Sequence, residues 1–222
     1  MRPFPEIEAD AAARKGGAAA LEKLLARPKS AAALKKIPDD RWLAEATRCV
    51  FQAGFSWKVI DAKWDGFEAA FEGFDVGRWS LMSDEDVDRL LKDERIIRNG
   101  AKIASVGANA AWMAGLRADH GSVGACFAGF GPERQVELME AVKKDAARLG
   151  GRSGQVFLRR MGVDSVVLSD HVVAALVREG VVDKAPTSKK ALAALQGALD
   201  DWRGESGRPL TQISQILAYS VD

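Results

Sequence analysis

The chain has 222 residues, 47% of them hydrophobic, enough for one substantial core or two small lobes sharing a cleft without covalent staples. Its 32 basic and 31 acidic residues nearly cancel, so bulk charge does not single out nucleic acid as a partner, and local clustering must carry any such argument. Cys49 and Cys126 stand far apart in sequence, which excludes a disulfide framework and a CxxC metal pair and fits reduced thiols in the cytosol.

No apolar stretch approaches the roughly 18–20 residues of a membrane span. The opening MRPFPEIEAD lacks the apolar core of a secretion signal, so a cytoplasmic protein without membrane contact is expected. Ala, Leu, Lys, Arg and Glu dominate, and β-branched residues cluster only briefly, which predicts an all-α class.

In chain order, a first helix is predicted over residues 6–26 with a weak point at Gly16 and Gly17. Pro28 ends it before a short helix near Ser30, and Pro38 restarts the chain. From Asp40, the apolar positions Trp42, Leu43, Ala46, Cys49, Val50 and Ala53 recur at helical spacing up to Gly54. Ser56, Ser83 with Asp86, and Asn99 each signal a further helix start. Residues 121–131 read as a glycine-rich connector, Pro132 opens a helix through Arg148, and LGGRSG at 149–154 turns the chain into the next helix. Three further blocks at 170–179, 188–203 and 211–219 complete the chain.

The hairpin is the first element with chemical content. Its glycines let the backbone approach a ligand closely, and the following helix start presents unpaired amides at a positive dipole end, which suits a phosphate. Lys143, Lys144, Arg148, Arg152, Arg159 and Arg160 surround it, with Asp145 the single acid between positions 143 and 160. A plain turn with a solvated basic face accounts for the same residues. Asp170 begins an apolar helix about sixteen residues later. There an ionised carboxylate suits stabilising positive charge or activating water, and equally suits helix capping.

The segments FQAGFSWKVI, WDGFEAAFEGFD and MSDEDVDRLLKDERIIRNGAKIASVGANA, followed by LGGRSGQVFLRRMG and LSDHVV, are similar in order and spacing to the DNA-3-methyladenine glycosylase I family of the helix-hairpin-helix superfamily. The likeness covers approximately residues 40–175. The tail DWRGESGRPLTQISQILA resembles the C-terminal helices of the broader superfamily, and the first 39 residues match neither pattern.

The resemblance implies one glycosylase domain over residues 1–222 with two helical lobes around a central cleft, and a damaged base flipped from double-stranded DNA. It implies a base pocket of Cys49, Gln52 and Trp57, a wedge of Gly54 and Phe55, and a phosphate grip of Gly151, Arg152, Ser153 and Gly154. Asp170 would be the catalytic carboxylate, in a monomer that uses no cofactor. Without the resemblance, Phe55 and Trp57 read as core aromatics at a helix junction.

Two departures stand out. Cys49 occupies the place where the family carries a pocket glutamate, which leaves the identity of the excised base open. His171 matches a zinc ligand of the family, but Ala175 replaces its cysteine partner and His120 and Cys126 supply no substitute pair, so no metal is expected. The basic residues bracketing the hairpin are Arg148 and Arg152 rather than a lysine nucleophile, which favours a monofunctional glycosylase. Two alternatives stay open: a glycosylase for a different modified base, and a lesion-binding module with little or no catalysis.

Overall fold

A computed structural model describes residues 1–221, and among them there are fifteen α-helices and no strand. The predicted first helix is two, α1 (Phe4–Lys15) and α2 (Ala18–Leu24). Gly16 and Gly17 have φ of 89° and 104°, so the glycine pair breaks the helix instead of weakening it. Helix α3 (Ala31–Lys35) starts at the Ser30 cap, α4 spans Asp39–Gln52 and α5 spans Trp57–Ala62. Next come α6 (Trp64–Ala70), α7 (Val76–Trp79), α8 (Asp84–Lys92) and α9 (Gly100–His120). Ser83 and Asp86 form a reciprocal capping box on α8, and the Asn99 side chain accepts from Lys102 N to start α9. Ser56 precedes α5 without a side-chain capping bond.

The supposed connector at 121–131 contains a helix, α10 (Val123–Ala128), capped by Ser122. Its glycine serves packing: a Cβ at Gly124 would collide with the carbonyl of Leu34 on α3. A 3-10 turn at Pro132–Arg134 leads into α11 (Gln135–Asp145), which stops three residues short of the predicted Arg148. The remaining helices are α12 (Arg152–Met161), α13 (Asp170–Arg178), α14 (Lys189–Ser206) and α15 (Leu210–Tyr219). No helix among the described residues is long and apolar enough to cross a membrane.

The chain divides into two compact units. The first contains Met1–Lys29, Phe130–Met139 and Gly162–Asp222, so it gathers both chain ends. Phe4, Ile7 and Ala11 of α1 pack with Val172 and Leu176 of α13, Leu199 and Trp202 of α14, and Ile213, Ile216 and Leu217 of α15. Charged groups tie the same ends together. Arg2 Nη2 lies 2.8 Å from Glu179 Oε1, Arg178 Nε donates to that oxygen, and Arg208 bridges Glu8 and Glu22. Burial alone would raise the Glu179 carboxyl, but the hydrogen bonds from Arg2 and Arg178 override it and hold the group down to about 2.

The second unit contains Ser30–Gly129 and Glu140–Met161. Trp42 of α4 stacks on Phe127 of α10 at 5.0 Å and meets Phe157 of α12 edge-on, so three helices share one aromatic joint. The spacing of Phe67, Phe71 and Phe74 buries all three rings in a run that also takes in Phe51 and Trp79. These contacts hold α4 and α12, the two helices that carry the predicted pocket and hairpin.

Candidate active site

Helix α4 ends where its sequence demands. Ala53 leaves helical geometry, Gly54 takes φ of 76°, and Phe55 N closes the turn on the Gln52 carbonyl before α5 begins at Trp57. The turn leaves Phe55 43% and Trp57 55% exposed, whereas nine other aromatics are fully buried. Both rings are therefore surface aromatics, and the core reading of them does not hold.

The hairpin follows α11. Arg148 and Gly151 adopt left-handed φ of 59° and 60°, and Leu149 between them is fully buried. Asn109 of α9, itself buried, accepts from Ala147 N at 2.8 Å and donates to its carbonyl at 3.1 Å, which pins the hairpin backbone from the side. Gly150, Gly151 and Arg152 are exposed. Gly154 is not: it is buried, and a Cβ there would strike the Leu149 carbonyl and Val142. Its glycine is needed for closure of the hairpin, because a side chain there has no room beside the Leu149 carbonyl.

A cavity of about 310 Å³ is lined by Cys49, Gln52, Ala53 and Gly54 of the α4 end, Trp57 of α5, and Arg152, Ser153 and Val156 of α12. Residues expected for the base pocket, the wedge and the phosphate grip thus meet at one cavity. Phe55 stands exposed on the adjoining turn, and Asp170 and His171 belong to the other unit.

Arg160 is the hub behind this wall. Its Nη1 donates to Glu45 Oε1 at 3.0 Å and Gln52 Oε1 at 2.7 Å and lies 3.9 Å from Cys49 Sγ, while the guanidinium sits 4.6 Å from the Trp57 ring centroid. Gln52 Nε2 donates to Asp61 at 3.1 Å, so both ends of that buried amide are satisfied and its orientation is set. The basic face predicted around the hairpin therefore loses Arg160, which turns inward, and keeps the exposed Lys143, Lys144, Arg148 and Arg152. The signal for the missing acid was present in the sequence: Glu45, Cys49 and Gln52 follow the four-then-three spacing of one helix face. No local pattern pairs Glu45 with a residue more than 100 positions away.

Burial first, and then the Glu45 carboxylate, push the Cys49 thiol up to about 12 against the pull of Arg160. The thiol is neutral at physiological pH and lines the pocket as a small apolar group, not as a nucleophile.

Asp170 is the first residue of α13 and is exposed. The capping duty belongs to Ser169, whose side chain accepts from Val172 N at 3.2 Å. The Asp170 carboxylate is thus at a positive dipole end without serving as the cap. Among the described residues, no group of three or more His, Cys, Asp or Glu side chains is placed to hold a metal ion.

A family model described as methyladenine glycosylase matches residues 39–156, more than half of the chain. The chain belongs to the methyladenine glycosylase family. Every residue lining the 310 Å³ cavity falls within the family's segment, whereas Arg160 and Asp170 lie beyond it. A stretch of 59 residues is 41% identical to DNA-3-methyladenine glycosylase 1 of Escherichia coli strain K12, covering 27% of this chain and 32% of that protein. The chain thus spans about a third of the length of this curated relative.

Two crystal structures of 3-methyladenine DNA glycosylase I share the fold. One, in complex with 3-methyladenine, is 19% identical with a TM-score of 0.50, over 57% of this chain and 80% of that one. The other is 23% identical with a TM-score of 0.50, over 63% of this chain and 83% of that one.

Proposed function

We propose that this methyladenine glycosylase family member is a monofunctional base-excision enzyme that flips an alkylated base from duplex DNA and hydrolyses its N-glycosidic bond. The observation that carries the reading is the single cavity shared by Trp57, by Cys49 and Gln52 of α4, and by Arg152 and Ser153 of the hairpin helix. Its volume is at the lower end of the roughly 300–1,000 Å³ range of small-ligand sites, suited to one base and little more.

In this reading Trp57 offers its free face for stacking, and Phe55, projected by Gly54, fills the vacated stack. Gly151, Arg152 and Ser153 grip the backbone phosphates, with Lys143, Lys144 and Arg148 adding long-range attraction. Asp170 stabilises the oxocarbenium-like sugar or accepts a proton from the attacking water. Water adds to the sugar carbon as the bond to the base breaks, and a base made cationic by alkylation leaves neutral. The chain is read as one glycosylase domain of 222 residues, acting in the cytoplasm as a monomer on DNA.

The test is mass spectrometry of bases released from methylated duplex DNA by the wild type and by Asp170→Asn at matched protein and salt concentrations. Base release that falls at least about a hundredfold in the variant is expected, in line with a lost acid–base group. No release by the wild type with retained lesion binding would overturn the enzymatic reading in favour of a binding module. A second reading, a different modified base, is favoured by the pocket wall itself. Cys49 is uncharged and the Gln52 amide is engaged at both ends, so release of bases other than 3-methyladenine in the same assay would decide for it.

A further inference from the structure

Lys102 is 7% exposed, an unusual position for an ammonium group. Among the described residues, no carboxylate comes within ion-pair distance of it. Its Nζ instead donates to the carbonyls of Phe51 at 3.1 Å and Ala53 at 2.7 Å, and lies 4.6 Å from the ring centroid of Phe55. Burial first, and then the nearby Arg148 charge, push its pKa down. The charge is tolerated because the last carbonyls of α4 form the negative end of that helix and the Phe55 ring presents its electron-rich face.

The residue also sits in the first turn of α9, where a positive side chain opposes the helix dipole. Helix α9 gains nothing from a lysine there, and the beneficiary is α4. Ala53 is the residue before the left-handed Gly54, so fixing its carbonyl fixes the direction in which the turn leaves the helix. The same ammonium orients Phe55 two residues later. Helix α9 holds the hairpin as well, through Asn109 on Ala147 and through the Ala101 carbonyl, which accepts from Arg148 Nε at 3.2 Å. Adjacent residues of one helix thus anchor the wedge turn and the hairpin.

We propose that Lys102 is a positioning residue: its ammonium presets the turn at residues 53–56 and the Phe55 ring in the pose that enters the duplex, at a spacing from the hairpin set by α9. This rests on the reading of the turn as a DNA wedge. The test compares wild type, Lys102→Met, Lys102→Arg and Phe55→Ala. Hydrogen exchange is followed over residues 53–56 in the free protein, and methylated duplex DNA is used for single-turnover base release and for binding.

Lys102→Met is expected to unfold cooperatively like the wild type but to exchange faster at residues 53–56. Its single-turnover rate should fall about tenfold or more with DNA affinity within about threefold, the pattern of a misplaced group. Lys102→Arg should recover most of both losses, and Lys102→Met should add little in a Phe55→Ala background. Wild-type exchange and turnover in Lys102→Met would overturn the proposal, as would an equal loss in affinity and rate. If the wild type releases no base, the glycosylase reading fails, and the exchange rates alone decide whether Lys102 holds the turn. Should Lys102→Met not fold, exchange and turnover in Lys102→Arg intermediate between wild type and Phe55→Ala would support the role, and exchange unchanged alongside reduced turnover would overturn it.

Discussion

Arg160 meets Glu45 at 3.0 Å beside a cavity, and Arg2 meets Glu179 at 2.8 Å among the helices that gather the two chain ends. The chemistry is the same, but the surroundings differ. Glu179 is sealed, with Arg2 and Arg178 both committed to it, and its neighbours are the closed apolar core around Trp202. Around Arg160, Gln52 is locked and Cys49 is neutral, yet Trp57 stays exposed above the guanidinium and the cavity stays open. A charge cluster whose members are taken up by protein partners on every side, as Arg2 also is by Asp10 and Arg178 by Ser220, stabilises a fold. One that holds an exposed ring over an opening prepares a ligand site at some expense of apolar burial.

That contrast can be broken by substitution, ordered here by the expected effect on stability. Trp202→Ala empties a fully buried site and should cost about 3–5 kcal/mol in urea unfolding. Arg160→Met leaves Glu45 with only the Cys49 thiol as donor, at 3.6 Å, and the Gln52 carbonyl oxygen with none, and should cost about 1–3 kcal/mol. The double variant with Glu45→Gln should cost less than the sum of the two single losses, as coupled neighbours do.

Glu179→Gln should cost about 1–2 kcal/mol at neutral pH, the worth of hydrogen bonds to a charged group. The Glu179 pKa is lower in the folded chain than in the unfolded one, so its contribution is fully present above the unfolded value of about 4.3. It is lost as pH falls through that value toward about 2. The wild type should therefore lose more stability than the variant over this window in acid titrations followed by circular dichroism.

Trp57→Ala should change stability by no more than about 0.5 kcal/mol, because the ring is exposed. Base release should nonetheless fall by the equivalent of about 1–3 kcal/mol of stacking, measured as kcat/KM on methylated duplex. A large stability loss in Trp57→Ala would show that the ring is structural after all and erase the distinction between the two clusters.

Much of this was legible in sequence because it depends on local physics. The Ser30, Ser83 and Asn99 caps bond amides three residues away, and each helix starts where they stand. Glycine carries less directly readable information, because it serves two purposes that look identical in sequence. Gly16 and Gly17 break a helix with positive φ, whereas Gly124 and Gly154 sit inside or at the start of helices to let a carbonyl come close. The connector assigned to residues 121–131 missed that second use.

By itself, the sequence determined the all-α class, most helix starts and the resemblance that led to Cys49, Gln52, Trp57 and the hairpin. Periodicity, capping and motif spacing are short-range properties of a chain. Tertiary structure alone decided that these residues share one cavity, that Arg160 turns inward to Glu45 and that Lys102 reaches back to the end of α4. Those outcomes depend on which helices pack together. Long cationic side chains go wherever packing supplies a carboxylate, a carbonyl or an aromatic face, and no local pattern specifies partners 49 or 115 residues away.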